Sequence, residues 1–313
     1  MKIKNSGFGH IKDLKVIIER YMKRILIISD GKPGHLNQSI AFCKIKDVSY
    51  DILEVKFKSK FHKLLSYLFD KFDFFTDALF EDYKKYYFDF YDAIISTGSG
   101  TYYFNKFIAQ KYNKKSIALM LPKSYKFKNF YYIIAQEHDN PIRQDNILTL
   151  PLNLSFPKAK GYVKKVKDKK SLAIIIGGDN DVFTMEYELI KDELDFIFEN
   201  YPEYLKYITT SRRTSKEIEN LINKYDFDYK LIYSKEPKIN PIGDFIAVCD
   251  EFFITTDSTS MLSEVRANTD AKINIIDLDS KKENTKFHRL VNIIEDMDDE
   301  KVNFVKLLKK VKI

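Results

Sequence analysis

The segment FFITTDSTSMLSEV collects residue types suited to holding an anionic ligand. Its strand ends near Thr256. Asp257 or Ser258 can cap the helix that follows, and Thr259 and Ser260 in the first turn offer amides and hydroxyls to an anion. Glu264 lies four residues beyond Ser260 on the same helical face. An anion at the helix start and a carboxylate one turn further in match the diphosphate and ribose hydroxyls of a nucleotide. Capping alone would account for Asp257 and Ser258, but not for the series.

Two other loops fit the same ligand. In LAIIIGGDND the pair Gly177 and Gly178 follows an apolar strand, a placement that lets backbone amides approach a phosphate. YITTSRRT ends a strand with Ser211, Arg212, Arg213 and Thr214, and a planar guanidinium can bond two phosphate oxygens at once. The alternative for the arginines is surface pairing with Glu217 or Glu219.

Earlier in the chain, SDGKPGH brings Asp30, Lys32 and His35 together with Gly31 and Gly34, whose missing side chains permit a sharp turn and a close ligand. It has neither the phosphate-loop nor the dinucleotide spacing, and a plain strand-to-helix turn is an equal reading. STGSGT, with Ser99, would expose amides at the mouth of the same sheet, and AQEHDNP offers Glu137, His138 and Asp139 or else a solvated turn ending in Pro141.

These loops need a scaffold. Short β-branched runs alternate with helical patterns: Ile25–Ile28, Tyr50–Val55, Ala93–Ser96, Lys115–Leu119, Tyr132–Ala135 and Ile147–Thr149, then Leu172–Ile176, Leu205–Thr210, Tyr229–Ile232, Glu251–Thr255 and Lys272–Ile276. The cadence predicts an α/β chain of two Rossmann-like domains, their parallel sheets facing across a cleft, with ligands outside the carboxyl ends of the strands. The expected divisions are an extension at 1–21 carrying an amphipathic helix from His10 to Tyr21, a first domain at 22–156, a lysine-rich linker at 157–170 and a second domain at 171–313, its last helix packing back on the first.

Composition narrows the classes. The chain has 313 residues, 44% of them hydrophobic, and a net charge of +7 spread along its length, which favours phosphate-bearing partners and excludes a dedicated nucleic-acid binder. Cys43 and Cys249 lie far apart without metal-ligand spacing and read as buried thiols in a reducing compartment. No apolar run reaches the roughly 20 residues of a membrane-spanning helix, and residues 1–22 lack an export signal.

SDGKPGHLNQS, EHDNP, RQDNILTL, IGGDND, TTSRRT, NPIGDFIAVCDEFFITTDSTSMLSEV and KFHRL, in this order, resemble the mitochondrial-fission Elm family over most of residues 22–290. Phe61–Asp92 and the N-terminal extension stand outside the likeness. The family is similar in architecture to GT-B glycosyltransferases and UDP-GlcNAc 2-epimerases. The resemblance implies a nucleoside-diphosphate sugar as co-substrate and no cofactor. It also implies sugar transfer to an envelope glycan or lipid-linked acceptor in the bacterial cytoplasm. No bound metal is expected, because no DxD-like acidic pair follows an early strand and Asp179 and Asp181 belong to the glycine loop. Arg212, Arg213 and Ser258–Ser260 would stabilise the leaving diphosphate, Glu264 would hold the ribose and Asn240 in KINPIGD would meet the base. His35, or else His138, would be the base for the acceptor hydroxyl, oriented by Asp30. The alternatives are an epimerase or hydrolase with the same donor site, or a non-catalytic nucleotide-binding scaffold. Apolar residues at helical spacing in 61–92, flanked by Lys60, Lys63 and Lys71, would rest on the inner face of the membrane or complete the core.

Overall fold

A computed structural model describes residues 23–298 and 300–313. The amphipathic segment His10–Tyr21 lies outside the described residues. The chain divides into two compact units, one holding 23–135, 142–148 and 305–313, the other 136–141 and 149–304.

The first unit is built on a six-stranded sheet in the order β2-β1-β3-β4-β5-β6. Its strands are β1 (Arg24–Ser29), β2 (Ser49–Glu54), β3 (Ala93–Thr97), β4 (Lys115–Leu119), β5 (Tyr132–Gln136) and β6 (Ile147–Leu150). Neighbours from β2 through to β5 run parallel. Ile25–Ile28 and Ala93–Ile95 are fully enclosed, as continuous β-branched runs in a sheet covered on both faces should be. Helix α1 (Pro33–Ile45) follows β1 and opens on Pro33, whose missing amide costs nothing at that position. Helices α2 (Lys60–Lys71) and α3 (Tyr102–Lys111) complete the unit, and Tyr102–Ala109 of α3 are all buried.

In the second unit a five-stranded sheet runs β10-β9-β7-β11-β12, every neighbouring pair parallel. Its strands are β7 (Ser171–Ile176), β9 (Leu205–Thr210), β10 (Tyr229–Leu231), β11 (Glu251–Thr255) and β12 (Lys272–Ile276). Its helices are α4 (Tyr187–Asn200), α5 (Lys216–Ile222), α6 (Ile242–Val248), α7 (Thr259–Asn268) and α8 (Lys286–Glu295). The strands read from the sequence are all present, each within one residue at either end. The structure adds an antiparallel pair of two-residue strands, β8 (Phe183–Thr184) and β13 (Asp279–Ser280), too short to leave a periodic signal.

In both sheets the strand order reverses once, between β1 and β3 and between β7 and β11. Chains leaving strands on either side of a reversal diverge and open a crevice at the carboxyl ends, where ligands of doubly wound sheets bind.

Residues 151–170 contain no helix or strand, and the lysine-rich stretch within them is fastened to the second unit. Asp244 of α6 accepts the amides of Lys160 at 3.1 Å and Gly161 at 2.6 Å. Both cysteines are buried and free, and burial pushes each thiol up to about 12.

Segment 61–92 divides in two. The helix stops at Lys71 because Asp73 turns left-handed (φ 55°) and its carboxylate takes Lys126, Lys128 and Asn129. Beyond the turn Leu79, Phe80, Phe88 and Tyr91 enter the core, whereas Phe61, Leu64, Leu68, Phe72 and Phe74 are exposed. No helix among the described residues is long and apolar enough to cross a membrane.

Candidate functional site

At the reversal in the second sheet, the loops after β7, β9 and β11 close on one carboxylate. Asp257 follows β11, its side chain shut off from solvent. Its Oδ1 accepts the Thr255 hydroxyl at 2.6 Å, and that same hydroxyl oxygen accepts the Gly177 amide at 2.8 Å. Its Oδ2 accepts the Gly178 amide at 3.1 Å and a guanidinium N–H of Arg213. The Asp257 carbonyl takes Arg213 again at 3.3 Å and Asn180 Nδ2 at 3.1 Å. Thr214 ties the β9 loop to the β7 loop, donating to the Gly177 carbonyl and accepting the Ser211 amide at 2.9 Å.

This network explains the glycine pair physically. A Cβ on Gly177 would collide with the Asp257 carboxylate, and one on Gly178 with the backbone of Arg213. Their amides, expected to face a phosphate, are already bonded to Thr255 and Asp257. The groups left open to an anion lie further out. Ser258 caps α7, accepting the Met261 amide at 3.4 Å, so the amides of the first turn at Thr259 and Ser260 have no partner within the helix. Ser260 and Arg212 are exposed. Neither arginine pairs with Glu217 or Glu219: Arg213 serves Asp257, and Glu219 accepts the Ser234 hydroxyl.

One turn into α7, Glu264 is half-buried, and no side chain among the described residues pairs with its carboxylate. Burial alone raises its carboxyl from 4.5 to about 7. A carboxyl that is desolvated but not neutralised by a partner, at the switch point of an α/β sheet, has the character of a ligand-binding group. Asn240 is exposed, and its side-chain oxygen accepts the Ile242 amide at 3.0 Å ahead of α6, which leaves its amide nitrogen for a ligand.

In the first unit the loops after β1 and β3 meet in the same way. His35, in the first turn of α1, places Nδ1 3.0 Å from Asp30 Oδ1 and 3.1 Å from Oδ2. Lys32 Nζ lies 3.1 Å from the same carboxylate. Partial burial raises the Asp30 carboxyl, but the His35 and Lys32 interactions outweigh it and hold the group at about 2. Ionised Asp30 can only accept, so Nδ1 carries the shared proton and Nε2 is the ring nitrogen outside this bond. Gly98, at φ +88°, lies flat against this ring, where any Cβ would collide with it. Gly31 turns at φ +73°, whereas Gly34 has open space around it. Ser99 accepts Lys63 Nζ at 2.9 Å.

His138 is placed otherwise. It is 2% exposed, in a 3-10 turn (Glu137–Asp139) that belongs to the second unit, with its carbonyl held by Arg289 Nε at 2.9 Å. His35 is therefore the one of the two histidines with a solvent-reachable ring.

The sequence reading missed Thr255 and Asn180, which together with Thr214 build the Asp257 cluster. The signal of Thr255 and Asn180 is faint: each is a short polar residue within two positions of a strand end or a glycine, a pattern shared by most loops.

No curated protein matches the chain in sequence. Among solved structures, a Listeria monocytogenes protein provisionally named a UDP-N-acetylglucosamine 2-epimerase aligns with a TM-score of 0.51 at 9% identity, covering 87% of this chain and 82% of its own. UDP-GlcNAc 2-epimerase from Neisseria meningitidis, solved with UDP-GlcNAc, aligns at 0.48 and 11% identity over 88% and 90%. ADP-heptose LPS heptosyltransferase II from E. coli aligns at 0.43 and 9% identity over 88% and 99%. Likeness at such identities concerns the fold, and the fold of two Rossmann-like units with parallel sheets is GT-B-like. The sequence profile of the family described as Mitochondrial fission ELM1 matches residues 33–301, the greater part of the chain and both switch-point loop sets except SDGK, and the chain belongs to that family.

Proposed function

We propose that the chain is a metal-independent GT-B-type glycosyltransferase that moves a sugar from a nucleoside diphosphate to an acceptor hydroxyl in envelope glycan or glycolipid synthesis at the cytoplasmic face of a bacterial membrane. One observation carries the reading. Glu264, a half-buried carboxyl without a charged partner among the described residues, stands one turn behind the open start of α7, with Arg212 on the adjoining loop. A diphosphate at the helix start would meet the Thr259 and Ser260 amides and the Arg212 guanidinium, and the ribose diol would donate to Glu264. These fixed positive groups stabilise the charge that develops on the departing diphosphate. In the first unit, Nε2 of His35 takes the proton of the acceptor hydroxyl. The acceptor oxygen bonds to the anomeric carbon, and the bond from that carbon to the diphosphate oxygen breaks.

Incubation of purified protein with UDP-, GDP-, ADP- and CMP-sugars tests the reading. Loss of donor only when acceptor is present is the expected result. Conversion of the donor alone would instead mark an epimerase or hydrolase, and binding without turnover a scaffold. Donor binding is expected to survive excess EDTA, and strict Mg²⁺ dependence would overturn the metal-free mechanism.

Arg212→Ala and Glu264→Gln are each expected to weaken nucleotide-sugar binding at pH 8 by roughly 1.5–3 kcal/mol, the range for a charge-assisted hydrogen bond. Unchanged affinity in both by calorimetry would remove the site. The carboxyl also sets a pH dependence. Ribose hydroxyls donate best to ionised Glu264, so wild-type affinity should rise about tenfold between pH 6 and 8, following ionisation near 7, and Glu264→Gln should show no such rise. Fold stability runs in the opposite direction. The folded carboxyl is raised above its ordinary 4.5, so its contribution is complete below about pH 4.5 and is lost as the pH climbs through about 7.

A further inference from the structure

Helix α2 packs Leu65, Tyr67 and Phe69 on the core and fully buries two polar residues beside them. Its buried residues are Ser66 and Asp70. Asp70 forms an enclosed ion pair with Lys106 Nζ at 2.6 Å and accepts the Lys126 amide at 2.7 Å, and the Ser66 hydroxyl meets Tyr125 OH at 2.9 Å. These bonds fix the rotation of the helix about its axis. On the opposite side Phe61, Leu64, Leu68 and Phe72, at the spacing of a single helical stripe, are 48% to 76% exposed. With an inward apolar face already supplied by Leu65, Tyr67 and Phe69, a second, outward stripe of large apolar residues signals a partner.

Charge around the start of the same helix indicates which partner. A pocket of about 360 Å³ opens there, with Asp30 on its wall and Lys32, Lys56, Lys58, Lys60 and Lys63 around it. Lys32 is neutralised by Asp30, and Lys56 by Glu81 at 3.4 Å. Lys63 bonds only the uncharged Ser99 hydroxyl, and Lys58 and Lys60 have no acidic partner among the described residues, so three ammonium groups remain uncompensated. Ser59 caps α2 at this end and adds the positive pole of a 12-residue helix. An apolar stripe running away from a cationic pocket matches an amphiphile with an anionic head group.

We propose that the pocket receives the phosphate of a membrane lipid while the outward stripe of α2 lies in the bilayer interface. The site stands by itself as a lipid-phosphate site. Only the further step, naming that lipid as the acceptor whose hydroxyl reaches His35, rests on the transferase reading.

Flotation of the full chain with vesicles tests it. Wild type should bind phosphatidylcholine vesicles containing phosphatidic acid at least about tenfold better than phosphatidylcholine alone, with the difference shrinking as salt rises. Lys58→Glu with Lys60→Glu should remove that preference, and Leu64→Glu with Leu68→Glu should remove binding to both vesicles. All four positions are exposed or partly exposed, so the variants are expected to fold, and unchanged thermal unfolding checks this. A lysine variant that keeps the phosphatidic acid preference overturns the pocket. Saturable binding of inorganic phosphate by calorimetry, without vesicle binding, would mark a soluble phosphate ligand and overturn the membrane source. A wild type that ignores vesicles and sediments as a dimer split by Leu64→Glu overturns the proposal in favour of an interface between copies. Failure of nucleotide-sugar binding in wild type would sink the transferase reading and leave the vesicle result standing.

Discussion

His35→Ala is expected to leave nucleotide-sugar affinity near wild type and to lower acceptor-dependent turnover by about 10²–10⁴, the usual share of a general base. The separation follows from where the residue sits. His35 belongs to the first unit, and the groups offered to the donor diphosphate and ribose belong to α7 and the β9 loop of the second. The carboxylate beside it sharpens the test. Asp30 is held at about 2 and stays ionised across the working pH range, so it keeps the imidazole proton on Nδ1. Asp30→Asn should therefore also depress turnover, because an amide can present its N–H to the ring and turn the tautomer. His138→Ala should leave turnover near wild type once folding is accounted for, since that ring is buried. Full activity in His35→Ala would return the loop to the status of a structural turn, whatever the nucleotide data show.

Asp257→Ala is expected to destabilise the second unit by roughly 2–4 kcal/mol and to weaken nucleotide binding through the loops rather than by contact. The carboxylate anchors the Thr255 hydroxyl, the Gly178 amide and Arg213 from its shielded position. Its removal leaves a buried amide without an acceptor. Arg213 contributes less to the loss, because its side chain is 35% exposed and can turn to water. A double-mutant cycle with Arg213→Ala should accordingly give a coupling of about 1 kcal/mol, below the single Asp257 effect. Thermal unfolding followed by circular dichroism reads both. An Asp257→Ala protein as stable as wild type would show that the three loops do not depend on this carboxylate.

Much of the molecule was written in local sequence. Runs such as ILII and AIII, apolar and without alternation, read as short strands enclosed on both faces, and the helical patterns between them point to parallel order. Loops at the carboxyl ends of those strands follow from the topology, so SDGKPGH, GGDND, SRRT and TDSTS were recognisable as strand-end loops. The ribose role given to Glu264 rests on a helical spacing of four residues, which a single helix preserves whatever surrounds it.

Tertiary structure decided which polar groups are still free. The Gly177 and Gly178 amides looked open because nothing nearby in sequence occupies them; Thr255 and Asp257, some 80 residues away, do so across the β7–β11 pairing. The same kind of distant contact buried His138 and pinned the lysine-rich stretch to Asp244. In α2 the apolar spacing was legible, but its direction was not. Long-range contacts set it: Leu65, Tyr67 and Phe69 pack on the core, and the Asp70–Lys106 ion pair and the Ser66–Tyr125 bond fix the rotation that leaves Phe61, Leu64, Leu68 and Phe72 outward. Periodicity tells which residues share a face; what that face meets depends on partners that folding brings from elsewhere in the chain.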